Sequence, residues 1–424
     1  MKKIILSVFA GLVIVSMLGF AGTMFISAAN QTSEGDSQPY YVFAKNPFIK
    51  AFVEVRHDFG NVFSVDLTQG QLRAIKILGI KTEPVSIFTI DASCRNDKDC
   101  PAGYYCDKGN AVRGMGTCEP IDNGGDSDPE PSRKCYPSTQ TPWGINRVNG
   151  GSGGEGIKVA VLDTGVMQEH LDLKGRIVAC ESTVTRFPPD RNSCEDGHGH
   201  GTHVAGTVLA DGGADSKGIY GVAPQAELIA IKVCDRQGRC YGDDIAKGID
   251  LAVTKGANII SMSLGGSSLS TQERNAIDAA VKEGVLVIAA AGNSGPNLNT
   301  INYPAAYYKV VAVAATDSSD TVAEFSSRGQ DRSWSVDLNK NERLMELAAP
   351  GVSVESAYID GCYRTWKGTS MATPHVSGLA AKLWQENAGA TRTYLQEITY
   401  DITKGDYAWG GYDPASGFGL PVVQ

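Results

Sequence analysis

The sequence predicts a doubly wound α/β domain, its mostly parallel central sheet flanked by helices, preceded by a small α+β unit and a cysteine-rich stretch. Three observations predict it. Ile157–Leu162, Leu228–Val233, Asn258–Met262 and Val285–Ala291 are near-continuous apolar runs, the pattern of strands buried on both faces. Helical stretches separate them: Ile245–Val253, and Ser270–Lys282, which opens on the capping-box pair Ser270 and Glu273 and closes at Gly284. Alternating strands and helices are the order that builds a parallel sheet covered on both sides.

Along the chain, Lys2 and Lys3 precede an apolar run from Ile4 to about Ala29, ending in Ser27-Ala28-Ala29. Small residues there are what a signal peptidase accepts, so residues 1–29 are expected to be a signal peptide. The run is also long enough to span a bilayer, and an uncleaved anchor is the alternative. Either way the two lysines stay inside and the rest is exported. Residues 30–90, after a polar lead-in, are expected to form the small α+β unit. Tyr40–Phe43 and Val62–Leu67 read as strands. Thr68 and Gln71 form a capping box for a helix with Leu72, Ile75, Ile77 and Leu78 on its apolar face. Gly79 stops that helix, and Val85–Ile90 returns as a strand. About 60 residues bury only a marginal core, so this unit is expected to depend on docking to something larger.

Residues 91–134 hold a tight cysteine cluster (Cys94, Cys100, Cys106, Cys118) and a Pro-, Gly- and acid-rich linker from Glu119 to Lys134. Six more cysteines are scattered through residues 135–424, making 10 in all. An even count in an exported chain reads as disulfides. Zinc is disfavoured for the cluster, which lacks both histidine and paired Cys-x-x-Cys spacing. The net charge of −9 argues against nucleic acid or an anionic membrane as the main partner. A membrane contact is expected only through the N-terminal segment.

Three segments carry chemistry. Val159-Ala-Val-Leu-Asp163-Thr-Gly165 is a buried strand that delivers an acid at its C-terminal end, where ligand sites of open α/β sheets lie. In His200-Gly-Thr-His203-Val-Ala-Gly206 a histidine opens a helix. In Gly368-Thr-Ser370-Met-Ala-Thr-Pro374-His375 a serine stands before a helical run, near the positive end of its dipole. Serine is a poor nucleophile until a base takes its proton, and imidazole does so near neutral pH. A carboxylate fixes the imidazole tautomer and stabilises the imidazolium. His203 and His375 read as structural, facing into helix packing. Taken alone, Asp163 is a helix cap or a ligand as often as a catalyst, and Asn293 is a turn residue.

The extended motifs decide between these readings. Together with Ser261-Met-Ser-Leu-Gly-Gly266, Ala289-Ala-Ala-Gly-Asn293, Tyr303-Pro-Ala305, Phe325-Ser-Ser-Arg328 and Ala349-Pro-Gly351, the three blocks resemble the subtilisin-like serine proteases over roughly residues 138–424. The resemblance implies a secreted serine endopeptidase with Asp163, His200 and Ser370 as its triad. It also implies that Asn293 and the backbone N–H of Ser370 hold the oxyanion. Protein or peptide substrate would lie extended between Ser263-Leu264-Gly265 and a loop at Gln237-Gly238-Arg239. Ala290, Ala291 and Gly292 would line the S1 wall, with Asn302 at its base. A neutral amide there argues against strict selection for Lys or Arg, and Arg239 is either an attractor of acidic groups or an exposed loop charge.

The resemblance further implies structural calcium and no catalytic metal. Asp172 matches a ligand position, and Asp211-Gly-Gly-Ala-Asp215-Ser replaces the usual calcium loop with a different length. An exposed acidic turn is the alternative. Cys234–Cys240 would stiffen the substrate loop and Cys180–Cys194 the segment before His200, leaving Cys135 and Cys362 to each other. Residues 30–90 resemble the family's inhibitory propeptide, so a self-processing zymogen is expected, cut near Ile90 or in the linker before Pro142. The segment Gln330–Glu346 is longer than the family usually has and is a candidate partner site or lid, or else a tolerated surface insertion. An idle fold used for binding would have lost a triad residue, and none is lost. A ligase that passes the acyl group to an amine would need water excluded.

Overall fold

The computed structural model describes residues 37–44, 49–50, 53–90, 93–94, 104–112, 115–120, 136–185, 193–330, 341–402 and 412–424. The expected signal segment, most of the linker and most of the Gln330–Glu346 insertion lie outside these. Two compact units meet at the Ser86/Ile87 bond, and each is taken by itself.

The first unit is a four-stranded antiparallel sheet of β1 (Gln38–Phe43), β2 (Val55–Asp58), β3 (Val62–Leu67) and β4 (Lys81–Pro84), in the order β2-β3-β1-β4, with helix α1 (Gln69–Ile77). The capping box forms: Gln71 N–H donates to Thr68 Oγ1 and Thr68 N–H to Gln71 Oε1. Val42, Phe63, Val65, Leu67, Leu72 and Ile75 make the core. Ile77, given to the apolar face by its spacing, is 75% exposed instead. It lies in the last turn, with Leu78 as the C-cap. Strand β2 escapes a sequence reading because Arg56 and Asp58 make a short, charged edge.

Of the expected return strand at Val85–Ile90, only Ile87–Ile90 is a strand, and the first sheet is closed instead by the segment before it. β4 ends at Pro84 and pairs with β1, whereas β5 (Ile87–Ile90) belongs to the second unit. The cysteine-rich stretch follows as β6 (Ser93–Cys94), β7 (Tyr104–Val112) and β8 (Met115–Pro120), ordered β6-β8-β7, with Cys106 opposite Cys118 in register.

After α2 (Trp143–Arg147), the second unit builds a seven-stranded sheet from β9 (Lys158–Asp163), β10 (Ile177–Ser182), β11 (Glu227–Lys232), β13 (Ile259–Met262), β15 (Leu286–Ala290), β16 (Val311–Thr316) and β17 (Leu347–Pro350). Its order is β10-β11-β9-β13-β15-β16-β17 and its ladders are parallel. Short strands β12 (Arg239–Tyr241) and β14 (Leu264–Gly265) lie outside it, and β18 (Val354–Ala357) pairs with β19 (Tyr363–Trp366). The helices are α3 (His200–Leu209), α4 (Gly242–Thr254), α5 (Thr271–Lys282), α6 (Thr369–Lys382) and α7 (Ala388–Glu397).

Alternate residues of each strand point to opposite faces. Val159, Val161, Leu228, Ala230 and Ile288 join a core with α3 and α6, which pack on each other. On the other face, Leu162, Ile231 and Val233 close on Gly248 of α4, where an added Cβ would come within 2.5 Å of Val233. Both faces are therefore covered, as the continuous apolar runs require. The strand order reverses at β9: β11 and β10 lie on one side and β13 onward on the other. The crevice at that switch point opens at the end of β9, which is Asp163.

Candidate active site

Asp163 is fully buried, and its Oδ1 accepts the Thr164 N–H at 2.7 Å and faces His200 Nδ1 at 2.7 Å. His200 is the first residue of α3, which enters from Gly199 at φ 103°. Glycine is required there, since a Cβ would come within 2.2 Å of the Tyr358 ring. Trp366 stacks on His200 with centroids 5.9 Å apart and on His203 at 5.0 Å.

A residue not singled out from the sequence organises this corner. Buried Asp196 accepts N–H bonds from His198, Gly199 and Thr202 and hydroxyl bonds from Thr164 and Thr202. It ties the first turn of α3 to the residue after Asp163. Burial alone would raise its pKa, but the bonds from Gly199, His198 and Thr202 outweigh that and hold it below the usual carboxylate value. An acid four residues before a helix-opening histidine, in Asp196-Gly-His-Gly-His200, was the available signal.

His203 and His375 are buried in helix packing, as the sequence implied. His203 Nε2 lies 3.1 Å from the carbonyls of Val354 and Arg364, and His375 Nδ1 lies 2.8 Å from that of Met371. Burial, with the nearby His200 charge adding to it for His203, pushes their pKa values down to about 3 and about 4. Both are neutral at ordinary pH, which suits packing and not proton transfer.

Ser370 is the second residue of α6, after Gly368. Its hydroxyl donates to the Ser263 carbonyl at 3.2 Å, and Ser263 Oγ donates to the Ser370 carbonyl at 2.8 Å. His200 Nε2 has no hydrogen-bond partner among the described residues. Asn293 Oδ1 accepts from Thr369 N–H at 3.0 Å and Thr369 Oγ1 at 3.2 Å. A backbone N–H only donates, so this contact assigns the amide oxygen and leaves the Asn293 NH2 as donor on its other side.

The two expected substrate edges are β12 and β14, and β5 lies between them, antiparallel to both. Ile90 pairs with Leu264 and Thr89 with Gly265, while Ile90 N–H donates to the Gly238 carbonyl at 3.1 Å. Phe88 and Ile90 point inward and are buried, whereas Ile87 and Thr89 are exposed. Asn302 lies against both glycines at the expected S1 base: an added Cβ would meet its Nδ2 at 2.7 Å from Gly292 and 3.0 Å from Gly265. Ala290 and Ala291 are fully buried beside it. Arg239 is held by Asp235 at 2.9 Å, which spends its charge within the loop. Cys234–Cys240 and Cys180–Cys194 are both disulfides, and Cys362 is also bridged. Cys135 lies outside the described residues.

Comparison with known proteins agrees with this fold. Residues 154–419 match the model of the Subtilase family. A "Subtilisin" of Bacillus sp. (strain TA39) is 45% identical over 310 residues, covering 68% of this chain and 73% of that one. Subtilisin E of Bacillus subtilis (strain 168) is 38% identical over 264 residues, covering 60% and 64%. The solved structure of Sphericase superposes with a TM-score of 0.63 at 47% identity, covering 68% of this chain and 99% of that one. The chain belongs to the subtilase family. It is a subtilisin-type serine endopeptidase.

The three acids expected to bind calcium in this subtilase are not equivalent. Asp172 is buried; its Oδ2 accepts from Ile219 N–H at 2.9 Å and Tyr363 OH at 2.8 Å. Asp211 instead pairs with Arg176 at 2.8 Å and accepts the Gly213 N–H, so its carboxylate is spent. Asp215 accepts the Lys217 N–H at 3.1 Å. A group missed from the sequence is Gln140, whose Nε2 donates to the Ser216 carbonyl at 2.5 Å and to that of Gly218 at 3.4 Å. Gly218 also crowds Asp172, since a Cβ there would come within 1.8 Å of Oδ1.

Proposed function

We propose that this subtilase is a secreted endopeptidase made as a self-processing zymogen, cutting peptide bonds through an acyl-enzyme on Ser370. The His200 Nδ1 contact with Asp163 carries the reading. It fixes the Nδ1–H tautomer and leaves Nε2 as the base for the Ser370 proton. The hydroxyl, turned toward Ser263 here, swings to the imidazole as a scissile carbonyl comes into reach; catalytic hydrogen bonds often tighten only in the reacting complex. Oxygen attack on the scissile carbonyl moves charge onto its oxygen, between the Asn293 NH2 and the Ser370 N–H. His200 then gives the proton to the leaving amine, and water repeats the sequence to free the acid. Main-chain pairing along β12 and β14 accepts many sequences, and side-chain pockets add preference.

The β5 strand supports the zymogen reading, because it fills both substrate edges as an extended peptide would. The direct test is stoichiometric labelling of Ser370 by a phosphonylating serine-protease reagent, matched to loss of peptide hydrolysis. Labelling elsewhere with full loss would sink the assignment. No helix among the described residues is long and apolar enough to cross a membrane, and export is proposed on Lys2, Lys3 and the apolar run behind them. As a first mutational expectation, Asn293→Ala lowers kcat by roughly 10²–10³-fold with little change in KM, because it removes a donor aimed at the transition state. An unchanged kcat removes Asn293 from the mechanism.

We also propose a structural calcium ion between Asp172 and the carbonyls of Ser216 and Gly218, with Gln140 turning its amide so that Oε1 replaces the Nε2 that now donates to them. A hard cation takes several oxygens, and these converge on one turn. Asp211 is left out, being held by Arg176. Chelation is expected to lower Tm by several degrees, on the scale of losing about 1–3 kcal/mol in a domain of this size, and Asp172→Asn should abolish that response. A Tm indifferent to chelator would leave only an acidic turn.

A further inference from the structure

We infer that maturation cuts the chain immediately after β5, so that the cysteine-rich stretch stays on the active enzyme as an N-terminal extension. This rests on the self-processing reading and adds where the cut falls and what survives it. Register supplies the place. Ile90 faces Leu264, and the strand runs antiparallel to Ser263-Leu264-Gly265, so its C-terminal end is directed toward Ser263. The Ser263 carbonyl is the group that accepts the Ser370 hydroxyl. The nucleophile therefore stands at the end of β5.

Shape agrees with register. A Cβ on Gly238 would come within 2.6 Å of Ile90, and one on Gly266 within 2.8 Å of Phe88. Two glycines of the cleft thus make room for the two inward side chains of this strand, both buried. The linker Glu119–Lys134 offers no such pair. Apart from prolines its single large apolar residue is Ile121, among glycines and acids. It has nothing to fill both positions at once.

What lies downstream sets the consequence. Only Asp91 and Ala92 separate β5 from β6, and β6, β8 and β7 form one sheet. A cut between Ile90 and Ser93 leaves this sheet whole and joined through the linker to the catalytic residues. A cut in the linker would discard it with the leader. In the reaction the peptide C–N bond breaks, Ser370 Oγ takes the acyl carbon, and His200 passes the hydroxyl proton to the departing nitrogen. Water then cleaves the ester. One water is consumed, and one carboxylate and one amine are formed, the carboxylate on the segment still lying in the cleft.

The test uses the full chain exported from a host, followed over time by N-terminal sequencing and intact mass, with hydrolysis of a chromogenic peptide measured on each form. The expected active form begins within Asp91–Ser93 and carries Cys94, Cys100, Cys106 and Cys118. Phe88→Ala should slow its appearance about tenfold, as expected for losing one fully buried side chain at a binding site. The matured product should match the parent in kcat/KM, since its sequence is the same. An active form beginning anywhere in 119–142 overturns the inference while leaving the protease intact. The same cut at the same rate in Ser370→Ala shows that another enzyme makes it, which overturns the self-processing reading on which the inference rests. A chain that hydrolyses no peptide in any form instead overturns the protease reading beneath it.

Discussion

Ser370→Ala is expected to lower peptide hydrolysis by roughly 10⁶-fold and to leave the exported chain uncut at Ile90. The reasoning is that nucleophile and base work as one unit: without the hydroxyl, His200 has no proton to take, and the oxyanion donors and binding leave only a residual of roughly 10³–10⁴-fold over water. Folding should survive. The Ser263 Oγ bond to the residue 370 carbonyl remains, and the bond lost is Ser370 Oγ to the Ser263 carbonyl, a cost of about 0.5–1.5 kcal/mol. Burst titration with an activated ester, beside a melting curve, measures both. A residual rate within a hundredfold of the parent, with the serine verified absent by mass, would mean that Ser370 is not the nucleophile.

The placement of that serine was legible in the sequence, and so was most of the sheet. Runs such as Val159–Leu162 are apolar at every position because α3 and α6 cover one face and α4 the other. Ser270 and Glu273 marked the head of α5 because a capping box is local, as was Thr68 with Gln71 for α1. What escaped was set by distance along the chain. Trp366 reaches His200 only because β19 folds back on β18, and Gln140 meets Ser216 across the turn of another segment. Asp211 is paired with Arg176, a partner 35 residues away along the chain. Asp196 lay in plain view, but its worth comes from bonds to Thr164 and Thr202 that appear once β9 and α3 are side by side. The break at Ser86 was hidden for another reason: Val85 is bonded to Pro39 and Ile87 pairs with Tyr241, so one apolar run serves two sheets.

Asp163→Asn should cost roughly 10⁴-fold in kcat while leaving the backbone in place. One oxygen, Oδ1, serves both Thr164 N–H and His200 Nδ1, and Oδ2 is buried with no hydrogen-bond partner among the described residues. Asparagine has two ways to fill this site. With its oxygen at the Oδ1 position both bonds survive, but the NH2 is buried without an acceptor, at about 1–3 kcal/mol. Flipped, the NH2 meets the Thr164 N–H donor to donor, and it suits His200 only if Nδ1 gives up its proton. That proton then sits on Nε2, the atom that must accept from Ser370, and the base is lost. In neither state does a negative charge remain to stabilise the imidazolium. A kcat loss dominated by tautomer should ease as pH rises and hydroxide takes over the proton, whereas KM stays within a few-fold throughout. The measurement is the pH dependence of kcat for Asp163→Asn beside the parent; a neutral-pH loss under tenfold would show that His200 is held by its helix and by Trp366, without help from the carboxylate.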